Sequence, residues 1–368
     1  MIESLPLHSG EGGAVPPTLF GEGAVAELGD PASEYSALRR SAGVVLRTDL
    51  SQIRMWGRDP VRMLNGLITN DLGALAEDRA IYAAMLTPKG RMISDLRTLR
   101  LSESDVLVDI PIISAASVMG HLKKFVPPMF ARSEDVAGAW SVLGVYGPAS
   151  AGIVRRALAL EALESGEDRV TRVIYKGQAV VVVGAGIVGG LGFDLVLPES
   201  RAGSLGEQLL TLGGPSGVRS VGFAALEAAR IEAGRPRYGL DIGEETLPGE
   251  AYEATGLMPR AISFSKGCYT GQEVVVRIAH RGHVNRHLRG LRLGDAPPPV
   301  ARTPLFTSEG KEVGWTTSSG RSEGLGESIG LGMLRREVEP GATVRLGSAE
   351  GSLVKVVDAS LRVLTGRR

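Results

Sequence analysis

The sequence has one cysteine, no net charge and no long apolar run, and each shortage removes a class of protein. A single cysteine in 368 residues excludes an intramolecular disulfide. It also excludes an ordinary iron–sulfur or zinc centre built by this chain alone, because such centres need about four Cys or His ligands. Forty-one basic residues balance 41 acidic ones. No overall field therefore draws the chain to nucleic acid or to an anionic membrane, and neither is expected as a partner. No apolar run approaches the roughly 18 residues of a membrane span. Met1–Val15 carries Glu3 and Glu11 and no basic stretch leading into an apolar core, which argues against a secretory signal. The expected location is the cytoplasm.

Hydrophobic residues make up 43% of the chain, enough to fill several cores. Its length predicts two or three domains. Fifty glycines and 20 prolines predict many turns and short elements rather than a helical bundle. Residues 1–29 read as an arm. Asp30-Pro31 and Asp59-Pro60 each pair a helix cap with proline at the first helical position, so helices are expected to about Ala42 and Ile68. Strands are expected at Val44–Arg47, Gln52–Trp56, Ala80–Leu86, Met92–Leu101, Asp105–Ile110 and Trp140–Tyr146. A second unit starts near Pro148, with a hairpin at Lys176-Gly177, a strand at Gly192–Leu197 and helices near 199–212 and 222–233. From residue 273 the pattern becomes short strands with glycine turns, the first over 273–280, which is a small barrel or sandwich.

Gly184-Ala185-Gly186-Ile187-Val188-Gly189 follows a strand and is a literal G-x-G-x-x-G, the form of a dinucleotide loop. That use needs a helix to open at the glycines. Five glycines in nine residues do not start a stable helix, and Phe193–Pro198 continues as a strand. The segment reads as a loop joining two strands, and no dinucleotide is expected there.

The most informative stretch is Lys266-Gly267-Cys268-Tyr269-Thr270-Gly271-Gln272-Glu273. Two glycines around the only thiol suggest a tight, exposed turn. Lys266, Arg277 and Arg281 would favour the thiolate. A lone cysteine is otherwise a small buried hydrophobe, although Gly, Lys, Gln and Glu are poor core neighbours. His280-Arg281-Gly282-His283-Val284-Asn285-Arg286-His287 follows. Its spacing suits no common zinc pattern, and no metal is expected. It reads either as a basic strand edge in solvent or as an anion subsite.

This octapeptide, with Arg277 and Arg281–Arg286, resembles the signature of the YgfZ-type folate-binding proteins. Over most of its length the chain resembles the wider glycine-cleavage T-protein (aminomethyltransferase) superfamily. Ala42-Gly43-Val44-Val45 with Asp49-Leu50-Ser51 is similar to the "AGLFDVS" stretch. Leu67-Ile68-Thr69-Asn70-Asp71 is similar to "LTTND", and Arg230–Gly234 with Pro236, Gly239 and Asp241 to "RLEAGxPxxGxD". Gly314–Ser318 and Gly332–Arg335 are similar to the C-terminal barrel strands.

The resemblance implies an α+β, three-domain cloverleaf of the T-protein type around a channel for tetrahydrofolate or a one-carbon derivative. Its parts would be a folate-binding domain (1–147), a second, ferredoxin-like domain with a connecting segment (148–265), and the cysteine loop with a small β-barrel (266–368). Tyr82, Asp95, Asp194 and Arg230 would contact the cofactor, Asp95 at the reactive nitrogen and Asp194 in place of the family's pterin-binding Glu. Asp95 has the alternative of a solvated strand residue. Pro111 and Leu226 stand where T-proteins carry an Asn and a ligand-contacting Arg.

The YgfZ branch implies an accessory factor for iron–sulfur enzymes, some of them tRNA-modifying, with Cys268 as the working thiol and iron–sulfur client or assembly proteins as partners. A folate-dependent aminomethyltransferase is the alternative. A protein-binding module without catalysis is the third.

Overall fold

The computed structural model describes residues 17–76 and 78–361, so most of the arm expected over 1–29 lies outside the described residues. Two capped helices set the N-terminal geometry. The Asp30 carboxylate accepts the Ser33 N–H at 3.0 Å and starts the helix Pro31–Arg40. Asp59 accepts the Arg62 N–H and starts Pro60–Asn65.

An antiparallel sheet runs in the order Ala80–Leu86, Met92–Ser102, Asp105–Pro111, Leu50–Gly57 and Ala131–Asp135. Alternation along its strands separates two faces. One face buries Ile53, Met55, Met85 and Val106 against Leu64, Val118 and Leu122 of two covering helices. Each fully buried aliphatic side chain of this kind contributes about 1.5–3 kcal/mol relative to exposure. The other face carries polar groups and helps to build the site.

A six-stranded sheet follows the order Arg219–Ser220, Gly43–Leu46, Trp140–Tyr146, Gly192–Pro198, Gln178–Gly184 and Val170–Tyr175. Its apolar strands are covered by the helices Ser150–Ala157 and Glu199–Gly213. Trp140–Tyr146 sits inside this sheet, paired with Gly43–Leu46 on one side and Gly192–Pro198 on the other. A boundary at residue 147 therefore runs through a sheet. The first sheet is an insertion between two strands of the second, which local patterning does not reveal because pairing partners lie about a hundred residues apart.

The C-terminal strands close into a six-stranded barrel beginning at Arg286. It docks on the helix Phe223–Glu232 through buried polar contacts. Arg230 Nη2 donates to Ser318 Oγ at 2.8 Å, and the Ser322 hydroxyl donates to Glu232.

The strand expected over 273–280 is instead a helix, Gln272–Arg281. Val274-Val275-Val276 biases the local sequence toward a strand, but tertiary packing overrides that bias. Val275 and Ile278 pack toward the segment 247–258, and Val275 is buried in a core with Leu257 and Leu288. Val274 sits against Gly90, where an added Cβ would come within 2.8 Å of the valine. Among the described residues, no helix is long and apolar enough to cross a membrane.

Candidate functional site

A cavity of about 160 Å³ lies where the polar face of the first sheet meets the glycine loop of the second and residues 235–260. Register decides which side chains share it. Tyr82 pairs with Arg97 and Ala84 with Asp95, so Tyr82, Asp95 and Arg97 share one face. Arg97 in turn pairs with Asp109. Leu96, Pro111, Ile187 and Leu257 add apolar wall.

The Tyr82 hydroxyl donates to Asp95 Oδ2 at 2.8 Å and lies 3.4 Å from the Tyr252 hydroxyl. Asp95 Oδ1 is buried and meets no donor among the described residues. Burial raises the Asp95 pKa against the opposing pull of the Tyr82 hydrogen bond. Burial raises that of Tyr82 further, helped by the neighbouring Asp95. A carboxyl group whose charged form burial disfavours, with one oxygen held by Tyr82 and the other without a donor among the described residues, suits proton exchange with an amine. The solvated-strand alternative for Asp95 does not hold.

Asp194 lines the same cavity, but its oxygens are already taken. One accepts from the Tyr146 hydroxyl and the other from Arg97 Nη1 at 2.6 Å. Arg97 Nη2 also holds Asp109 Oδ2 at 2.6 Å. The expected direct pterin acceptor is therefore committed to holding an arginine. Asp109 Oδ1, missed in the sequence, is the second buried carboxylate oxygen of this cavity without a donor among the described residues. Spacing carries a signal for Arg97, two residues from Asp95 on one strand and hence on one face, whereas Asp109 joins them only through the register of the next strand.

Arg230 does not line the cavity. Its guanidinium is buried between Glu227 and Asp241 and on Ser318, where it ties helix to barrel. The expected cofactor contact is thus an interior ion pair, made because a buried guanidinium needs compensating carboxylates. Leu226 is packed in the core with Val45 and Tyr146. Pro111 lies in the cavity wall.

The cysteine motif divides by residue. Lys266 Nζ lies 2.6–3.1 Å from four oxygens: the Asn65, Ile68 and Asn70 carbonyls and Asn65 Oδ1. Lys266 therefore staples the 65–70 turn and is not free to activate a thiol. Asn70 Nδ2 passes the link on, donating to the carbonyls of Tyr82 and Arg260. Tyr269 is buried. Gly271 has φ +84°, and a Cβ there would lie 2.7 Å from the Thr87 carbonyl, so only glycine lets the loop seat on the hairpin turn. Cys268 is exposed, as are its neighbour Gly267 and, one turn further on, Glu273. Gln272 opens the helix Gln272–Arg281, which carries His280, whereas His287 stands on the first barrel strand. Gly184–Gly189 joins two antiparallel strands, with no helix at the glycines.

Residues 23–257 match the GCVT N-terminal domain, and residues 286–361 match the glycine cleavage T-protein C-terminal barrel domain. The chain belongs to the glycine cleavage T-protein family. It is similar to an aminomethyltransferase of Pelodictyon phaeoclathratiforme, 27% identical over 327 residues that cover 87% of each chain. An aminomethyltransferase of Desulfitobacterium hafniense is 26% identical over 304 residues, 83% of this chain and 81% of that protein. The crystal structure of glycine cleavage system aminomethyltransferase T from Bartonella henselae superposes with a TM-score of 0.78. It is 22% identical and covers 90% of this chain and 89% of that one, which establishes the shared fold. The α+β architecture and closed C-terminal barrel expected from sequence are those observed.

Proposed function

We propose that this chain binds tetrahydrofolate in the Tyr82–Asp95 cavity and catalyses aminomethyl transfer, as the aminomethyltransferases it resembles are named for. The observation that carries this reading is Asp95, with one oxygen held by Tyr82 and the other buried and free. Bound tetrahydrofolate would supply the amine nitrogen that accepts the one-carbon unit. Asp95 Oδ1 would give or take the proton at that nitrogen, and Tyr82 would keep the carboxyl from rotating. Asp109 Oδ1 would accept from the pterin N–H groups, with Asp194 and Arg97 holding it in place. The apolar wall would exclude water around the ring.

The test combines calorimetry with tetrahydrofolate and an aminomethyl-transfer assay using a lipoyl carrier protein. Asp95→Asn keeps an acceptor for Tyr82 but cannot exchange a proton. Binding should change little, while turnover should fall by about 10²–10⁴-fold, the usual contribution of a general acid–base group. Turnover within a few-fold of wild type removes Asp95 from the chemistry.

A second reading rests on a separate observation, the exposed Cys268 on a loop stapled to the folate cavity. It is the YgfZ-type role, a folate-binding accessory factor for iron–sulfur enzymes in which one thiolate acts at an interface with a client protein. Wild-type folate binding without aminomethyl transfer, together with loss of iron–sulfur enzyme activity in cells carrying only Cys268→Ser, would favour it.

A further inference from the structure

Four charges cross the mouth of the cavity. Glu167 pairs with Arg235 through Oε1 and with Arg260 Nη1 through Oε2 at 3.0 Å. Asp168 holds Arg260 on two edges, Oδ2 to Nε at 2.7 Å and Oδ1 to Nη2 at 2.8 Å. Arg260 also lies over the Tyr82 ring, 4.9 Å from its centre. Arg235 and Arg260 line the inner cavity. Arg260, Tyr82 and Asp168 also line an outer cavity of about 430 Å³. Tyr82 and Arg260 line both spaces, so this cluster of ion pairs stands between them.

Its two acids are held differently. Asp168 is fixed by its backbone, whose N–H donates to the Gly184 carbonyl at 2.9 Å and whose carbonyl accepts from Ala80 at 2.8 Å. Those bonds hold it at φ +65°, a conformation uncommon for a residue other than glycine. Glu167 is 30% exposed and reaches both guanidiniums by its flexible side chain alone. Its carboxylate rests on the glycine loop, where a Cβ on Gly186 would come within 1.5 Å of Oε1. Gly186 thus makes room for a carboxylate between two arginines.

We propose that Arg235 and Arg260 form a carboxylate subsite at the cavity mouth, filled by the chain's own Glu167, and that an anionic tail on the ligand, the glutamyl chain of a folate, takes the place of Glu167. This identification of the tail rests on the folate reading above. Planar guanidiniums match carboxylates through paired hydrogen bonds. Exchanging one carboxylate for another keeps both arginines compensated, so the exchange carries little penalty of unpaired charge. Glu167 then competes with the ligand tail, and a folate without a glutamyl chain forgoes this contact alone.

The experiment measures binding of tetrahydropteroate, which has no glutamate, and of tetrahydrofolate triglutamate to wild type, Arg235→Gln and Glu167→Gln, at low and high salt. A γ-linked triglutamate peptide alone is titrated in parallel. Wild type should prefer the triglutamate, with a preference that shrinks at high salt. Arg235→Gln should cut that preference about ten-fold, the scale of one charge-assisted hydrogen bond, and Glu167→Gln should raise it. An undiminished preference in Arg235→Gln overturns the subsite. If wild type binds neither folate, the folate reading fails and the peptide decides the subsite. Peptide binding that weakens in Arg235→Gln and strengthens in Glu167→Gln then supports it, and no peptide binding overturns it.

Discussion

Lys266→Met separates a structural role for the motif's lysine from a chemical one. The methionine side chain fills the space of the lysine stem but leaves four oxygens without their ammonium. An ammonium has three protons, so at most three of these contacts are made at once. Hydrogen bonds to a charged group contribute about 1.5–3 kcal/mol each and do not add fully. Buried oxygens left without a donor cost about 1–3 kcal/mol each. Removing an ammonium whose pKa burial lowers to about 8 offsets part of this. The net loss should be about 2–3 kcal/mol, felt first in the 65–71 turn that Lys266 gathers. The assay is hydrogen exchange, read segment by segment. Protection should fall at 65–71 and 266–271 and stay as in wild type in the barrel. Because Asn70 donates to the Tyr82 and Arg260 carbonyls, folate binding should weaken in parallel. Thiol labelling of Cys268 should keep its rate or rise as the loop loosens. Wild-type protection with labelling slowed about ten-fold would show that Lys266 serves the thiolate, and the stapling argument would fail.

Glu227 sets a pH dependence. Burial alone would raise its pKa, but Arg230 and Arg237 bring it down from 4.5 to about 2. The folded value lies below the unfolded one, so this stabilisation is complete above pH 4.5 and is lost as pH falls through about 2. It amounts to about 3 kcal/mol. Wild type should exceed Glu227→Gln in stability near neutral pH, with the gap closing in acid; a gap that ignores pH contradicts this. Cys268 should react with a thiol reagent in the native protein, and Cys268→Ser should leave tetrahydrofolate affinity unchanged. Labelling that waits for denaturant would place the thiol in the core instead.

Local patterns are readable where each holds a turn or a cap: the Asp30-Pro31 helix start, the family's 67–71 turn, the glycine pair around Cys268. Tyr82 and Asp95 are assigned from their strand positions, which fall where T-proteins place a folate-contacting Tyr and an Asp, and strand register brings them together. That the oxygens of Asp194 are already taken is not readable. Its partners Arg97 and Tyr146 lie about a hundred and about fifty residues away along the chain, and no periodicity carries information over that distance. Arg230 was misread for a related reason, since a motif arginine looks the same whether it meets a ligand or Glu227 and Asp241. The helix at 272–281 was hidden by three valines whose intrinsic preference is the opposite of their packed state.

The nesting of one sheet inside another has a consequence for synthesis. Gly43–Leu46 leaves the ribosome well before Trp140–Tyr146, the strand that will cover one of its edges, and long before Arg219–Ser220, which covers the other. At roughly 5–20 residues per second, its hydrogen-bonding groups wait on the order of ten seconds for the first neighbour. During that interval the whole inserted sheet, residues 50–135, emerges and can close on itself. Closure brings residues 46 and 140 toward each other and shortens the loop that the outer sheet must span. The inserted sheet thus acts as a clamp for its host. A substitution that slows its closure, such as one at Met55 or Leu64 in its core, would prolong the exposure of Val44 and Val45 and raise the yield of aggregate without touching the outer sheet at all.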